Sequence, residues 1–216
     1  MPQIFHPSMN TVARVSVFGA AGFVVLLMWI GFTLARSPYV TEVGVVREQP
    51  VPFSHKHHVG DAGIDCRYCH TSVEESAVAG IPPTETCMNC HSQLWKDAPL
   101  LEPVRESYRT GKPLEWTRVH DLPDFAYFNH SIHIAKGIGC STCHGQVDDM
   151  PLMWKAASLH MEWCLDCHRA PEKHIRPRNE VFNMDWKPAD DPDFDAARLM
   201  REYHVKSKTN CSVCHR

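Results

Sequence analysis

Residues 53–70 read FSHKHHVGDAGIDCRYCH, and residues 128–144 read FNHSIHIAKGIGCSTCH. Both run Phe-x-His-x-x-His, a short spacer, then Gly-Ile-x-Cys-x-x-Cys-His. A chain that twice sets a histidine pair just upstream of the same cysteine unit is repeating a binding device, and the cysteines say for what.

All ten cysteines fall into five such units: Cys66/Cys69/His70, Cys87/Cys90/His91, Cys140/Cys143/His144, Cys164/Cys167/His168 and Cys211/Cys214/His215. Cys-x-x-Cys followed directly by His is the attachment signature of c-type haem. The thiols add to the porphyrin vinyl groups and the adjacent imidazole becomes the proximal iron ligand. Paired cysteines also serve zinc or redox disulfides, but neither needs a histidine immediately after the second cysteine. With 15 histidines in 216 residues, five accidental matches have a probability on the order of one in a million. Five covalently bound haems c are therefore expected, with His70, His91, His144, His168 and His215 proximal.

That reading sets the fold class. Beyond residue 50 the chain offers about 33 residues per haem, too few for a protein-only core. The expectation is a multihaem cytochrome c: one N-terminal transmembrane helix plus a haem-packed, mostly irregular domain with short helices. The formal charge is −3. Ten propionates and five iron porphyrins add roughly −5 when ferric and −10 when ferrous. An acidic holoprotein argues against nucleic acid as a partner.

Val15–Ala35 is 21 residues without a charge, bracketed by Arg14 and Arg36. As a helix it spans about 30 Å, the hydrocarbon thickness of a bilayer. A cleaved signal peptide has a shorter apolar stretch and a small-x-small site, which Thr33-Leu34-Ala35 fits poorly. Residues 1–36 are read as a cytoplasmic N-terminus and membrane-lipid anchor. The flanking arginines balance. Haem attachment takes place outside the cytoplasmic membrane of a bacterium, so a single-pass topology with a periplasmic haem domain is expected.

Residues 37–52, with prolines near both ends, read as a stalk, and 53–216 as the pentahaem domain. Within it lie two-haem units at 53–94 and 128–170 and a fifth haem at 204–216. The haem-free stretches between them read as arms able to wrap partner subunits, with short helical candidates at 102–108 and in DFDAARLMREYH.

The paired histidines now have a use. His55 and His130, about ten residues before their motifs, can fold over the far face of their own haem, and His58 and His133 can reach the next one. This double use resembles that in the small tri- and tetrahaem cytochromes c of sulfate- and metal-reducing bacteria. His120, in the extended RVHDLPDF, is the first choice for the fifth distal ligand, with Met161, His160 and His204 in reserve. His57 and His174 are expected to meet solvent or propionates. Tyr68, Trp154 and Trp163 are read as haem packing.

The single anchor, the five haem motifs, the FxHxxH pairs, RVHDLPDFAYFNHSIH and the ending TNCSVCHR together resemble the pentahaem membrane-anchored cytochrome c subunit of alternative complex III. That resemblance implies an electron-transfer subunit of a respiratory or photosynthetic quinol-oxidising complex, not a catalyst alone. Its implied partners are polytopic quinol-binding membrane subunits, an iron–sulfur subunit and a monohaem cytochrome c, with a soluble electron acceptor beyond. A self-sufficient membrane-anchored quinol dehydrogenase feeding a periplasmic reductase is the first alternative. A catalytic multihaem reductase is the second, though such enzymes often carry lysine in place of a motif histidine.

Overall fold

The computed structural model of the protein describes residues 4–215, so the first three residues of the N-terminal segment and Arg216 lie outside the described residues. The chain forms two compact units, Met1–Glu42 and Val43–Arg216.

The first unit is the long helix α1 (Ser8–Ala35) and the single turn α2 (Pro38–Thr41). At 28 residues α1 is about 42 Å long, and none of its residues is buried within the protein. Its two hydroxyl side chains in the apolar stretch turn back on the helix. Ser16 Oγ donates to the Ala13 carbonyl at 3.1 Å, and Thr33 Oγ1 to that of Trp29 at 3.0 Å. Neither hydroxyl needs water, which suits a helix surrounded by lipid. At its end the Arg36 guanidinium lies 3.6 Å over the Phe32 ring.

The second unit strings short helices along irregular chain: α3 (Cys66–Cys69), α4 (Thr84–His91), α5 (Glu102–Thr110), α6 (His130–Ala135), α7 (Cys140–His144), α8 (Met161–Arg169), α9 (Ala196–Glu202) and α10 (Cys211–Cys214). A π-helical turn covers Lys56–Asp61. Among the described residues there is no strand, only isolated bridges joining Val43 to Lys155, Val46 to Trp154 and Ile138 to Ile175.

Local chemistry starts and stops these helices. Asp65 caps α3 by accepting from Arg67 N–H at 2.8 Å, and Asn129 caps α6 through Ile132 N–H at 3.2 Å. Asp195 caps α9, accepting from Ala197 and Arg198 N–H at 2.9 and 3.1 Å. Helix α5 carries Pro103 in its first turn and ends at Gly111, whose φ of 68° is a conformation glycine adopts without strain. Ser107 on α5 meets Thr84 on α4, Oγ to Oγ1 at 2.7 Å.

The protein core is small. Val51, Leu101 and Val104 form one buried cluster beside Cys87, Met88 and Trp116; Ile175, Leu199 and Tyr203 form another. Two segments behave differently from their sequence reading. From Val43 onward the stretch read as a stalk lies along the haem domain: Val43 and Val46 bridge to 155 and 154, Gln49 exchanges hydrogen bonds with the Thr117 backbone, and Val51 is buried. The arm 171–203 is bound to its own chain as well. Arg176 N–H donates to Gly137 O at 2.8 Å, Cys140 N–H to Val181 O at 3.1 Å, and Arg178 Nε to Ala135 O at 2.8 Å.

Candidate haem centres

Each Cys-x-x-Cys lies on a helical turn: α3, the end of α4, α7, α8 and α10. The turn puts the two sulfurs, three residues apart, on one face and the histidine four residues from the first cysteine beside them. Where the helix stops at the second cysteine, the histidine N–H still closes the turn, from His70 to Cys66 O at 2.9 Å and from His215 to Cys211 O at 2.8 Å. No two of the ten cysteines are joined in a disulfide.

Cys90 and Cys211 are exposed, whereas the other eight are half-buried. For Cys90 the reason is its place on α4. Cys87, one turn earlier, packs against the Val51, Leu101 and Val104 cluster. Cys90 is in the last turn, where the chain runs on into exposed Gln93, Leu94 and Trp95. Cys211 opens the short α10, after the exposed run 206–210. Each stands three residues from its partner cysteine on one helical face.

The histidines separate by the partner of Nδ1. Seven candidate ligands donate Nδ1–H to a backbone carbonyl: His58 to Ser54, His70 to Gly80, His91 to Leu94, His130 to Ala77, His133 to Asn129, His168 to Lys208 and His215 to Phe125, all between 2.7 and 3.1 Å. A carbonyl can only accept, so the proton is on Nδ1 and Nε2 presents a lone pair, as a metal ligand requires. His57 differs: its Nδ1 lies 3.4 Å from the Asp61 carboxylate and its ring stacks on Trp95 at 5.1 Å.

Ring spacing then sorts these imidazoles. Two imidazoles on opposite sides of one iron, each about 2 Å from it, hold their centroids about 6 Å apart. His58 and His91 are 6.1 Å apart, His130 and His144 6.3 Å, and His133 and His168 6.1 Å. The repeated Phe orients each pair: Phe53 stacks on His58 at 4.4 Å and 22° and meets His55 edge-on at 4.9 Å. Phe128 stacks on His133 at 4.4 Å and 24° and meets His130 edge-on at 4.8 Å. His55 thus occupies the position of His130, and its Nδ1 is buried without a partner.

His120 lies beside the third motif. Its centroid is 4.3 Å from that of His144, too close for an iron between them, and its Nε2 is buried without a partner. Burial lowers His55 and His120 to about 4 and His144 to about 3, with neighbouring cationic or imidazole groups acting in the same sense, so all three rings are neutral. His215 contacts Phe125, through its carbonyl at 3.0 Å and its ring at 5.8 Å. The reserve residues His160, Met161 and His204 are exposed.

Neighbouring motifs touch. Asn89 Nδ2, between the cysteines of the second, donates to Tyr68 Oη, between those of the first, at 3.0 Å. Residues just past the first motif hold the ligand segment of the third, because both N–H and Nδ1–H of His130 point to Ala77 O. His133, on that same segment, faces His168 of the fourth. The fourth meets the approach to the fifth where His168 Nδ1–H reaches Lys208 O, three residues before Cys211.

These features test whether c-type haem fits. Lone-pair nitrogens face one another at spacings that would admit one iron, thiol pairs lie beside them, and large apolar side chains near the motifs, among them Ile81, Leu94, Trp95, Phe125 and Ile132, are exposed on the polypeptide. The residues present fit covalently attached c-type haem. The fixing carbonyls of Gly80, Ala77 and Lys208 were missed in the sequence, since a backbone acceptor leaves no residue-type signal. Trp95, stacked on His57 and 6.2 Å from His91, was missed too, although an aromatic just past a motif is a usable sign.

Over 99 residues the chain is 40% identical to the menaquinone reductase multihaem cytochrome c subunit of Nitratidesulfovibrio vulgaris, covering 45% of this chain and 46% of that protein. The match therefore spans about half of that relative's length. Residues 126–216 match the family model for cytochrome c7 and related cytochromes c. With three attachment motifs inside that match and short helices on irregular chain throughout the second unit, the fold class is that of a multihaem cytochrome c.

Proposed function

We propose that the protein is an electron conduit with five covalent haems, anchored in the bacterial cytoplasmic membrane by α1 and serving a quinol-oxidising complex. The observation that carries the reading is the continuity of the motifs, second to first to third to fourth to fifth, through the Asn89–Tyr68, His130–Ala77, His133–His168 and His168–Lys208 contacts. Neighbouring porphyrins in that order form one path for electrons. When bound, the haems supply one-electron chemistry at iron; the protein fixes their ligands, covers them and sets their potentials.

The distal ligands in this reading are His55, His58, His130 and His133, with His120 the fifth. The buried, unpartnered Nε2 of His120 supports a ligand role for it. Quinol oxidation also releases protons and needs positioned acceptors. Between Val15 and Ala35 there is no histidine or carboxylate, so polytopic partner subunits would oxidise the quinol. Electrons then pass through this chain to a monohaem cytochrome or a soluble periplasmic acceptor.

A second reading reverses the flow. The relative from N. vulgaris is a subunit of a menaquinone reductase, which favours electrons entering from the periplasmic side and leaving toward menaquinone. Both directions use the same path. The test is to isolate the native complex and mix it with reduced quinone analogue or with a reduced periplasmic cytochrome. Haem reduction by the quinol with transfer to the acceptor supports the first reading. Quinone reduction at the expense of the cytochrome supports the second.

A further inference from the structure

Arg176 is the one charged residue that is buried among the described residues, at 6% exposure. A buried charge is costly unless paired with an opposite one. No carboxylate lies within ion-pairing distance of Arg176 among the described residues. Its hydrogen bonds go to neutral oxygens: Asn183 O at 3.0 Å, Glu180 O at 3.5 Å and Ser141 Oγ at 3.1 Å. Its Nε has no partner, and its guanidinium lies 5.0 Å from the Trp186 ring centroid. The nearby Glu180 carboxylate is engaged elsewhere, accepting from Asn179 and Asn183 amides at 2.8 and 2.7 Å.

The place of this charge is specific. Ser141 is the residue after Cys140, inside the third Cys-x-x-Cys. The guanidinium also lies so close over Gly139 that a Cβ there would overlap it. Arg176 is therefore held against the first thioether position of the third motif. Arginine stays charged at any physiological pH.

We infer that Arg176 sets the reduction potential of the third haem, its buried positive charge beside Cys140 favouring the ferrous form. A fixed cation in a poorly solvated site stabilises an added electron more than it would in water. The third motif is the middle member of the contact series, so a raised potential there makes it the place where an electron rests between the two ends. The inference rests on haem attachment at Cys140/Cys143 and not on the direction of electron flow.

The test is a potentiometric titration of the detergent-solubilised full-length holoprotein, followed by electron paramagnetic resonance. The third haem's signal is the one lost in His130→Ala. Arg176→Gln should lower that midpoint and leave the other haems unchanged, while Arg176→Lys, which keeps the charge, should stay near wild type. Glu180→Gln, which removes a neighbouring negative charge, should raise the same midpoint. Unchanged midpoints in both the Gln variants, a fall spread over every haem, or an equal fall in Arg176→Lys would overturn the inference. Should Arg176→Gln fail to mature, Glu180→Gln decides alone: no upward shift refutes it. These midpoint shifts, together with no haem reduction by quinol or by reduced cytochrome in the native complex, would count against the proposed conduit and leave this inference standing.

Discussion

The imidazole of His58 stands 6.1 Å from that of His91, centroid to centroid, although His58 belongs to the segment that leads into the first motif and His91 to the second. His133 and His168 repeat the relationship at 6.1 Å. In the proposed assignment each Phe-x-His-x-x-His segment would serve two irons and tie two haems to one short stretch of chain. Replacing His58 with Ala should convert one haem from low to high spin while haem content stays complete. His133→Ala should do the same to a different haem, and the double variant should show two. An unchanged low-spin count in either single variant would refute its pairing.

The planes of the paired rings differ. His130 and His144 lie at 13°, His58 and His91 at 67°, and His133 and His168 at 54°. Near-parallel imidazoles give a rhombic low-spin ferric spectrum, and steeply crossed ones a strongly anisotropic spectrum with an extreme low-field feature. The oxidised protein should show both kinds, and His130→Ala should remove a rhombic component. Loss of an extreme low-field feature instead would contradict the geometry at the third motif.

His120 carries the open assignment. His120→Ala should remove one low-spin signal if its buried Nε2 ligates iron. Met161→Leu should then leave the low-spin count unchanged. The opposite pattern would transfer the role to Met161.

Asp195 accepts two backbone N–H groups at the start of α9, whose Leu199 packs against Ile175 and Tyr203. Asp195→Ala should cost about 1 kcal/mol in denaturant unfolding without loss of haem. A change of haem content would mean that the helix does more than close the second apolar cluster.

What was legible in the sequence was what is local or repeated. One helical turn carries a whole attachment motif, so cysteine and histidine spacing alone finds it. The short helices at Glu102–Thr110 and Ala196–Glu202 follow from flanking Pro103, Gly111 and Asp195, again within a few residues. Long-range contacts left no such trace. The bridge from Val43 to Lys155 and the Gln49–Thr117 exchange turn an apparent stalk into packed chain, and no residue type at 43–52 announces its distant partner. The contrast between half-buried Cys87 and exposed Cys90 is equally silent in the motif, because it depends on which turn of α4 meets the Val51 cluster. The setting of His120 against His144 depends on the same kind of contact. Arg176 reads as one more arginine in a polar arm until Gly139 and Ser141 are seen beneath it.

The central claim is that this chain conducts electrons and leaves quinol chemistry to its partners. The most direct measurement is rapid-mixing reduction of the purified, fully haem-loaded subunit by a reduced menaquinone analogue, alone and within the native membrane complex. Haem reduction within turnover time is expected only in the complex. Equally fast reduction of the isolated subunit would contradict it and favour a self-sufficient quinol dehydrogenase.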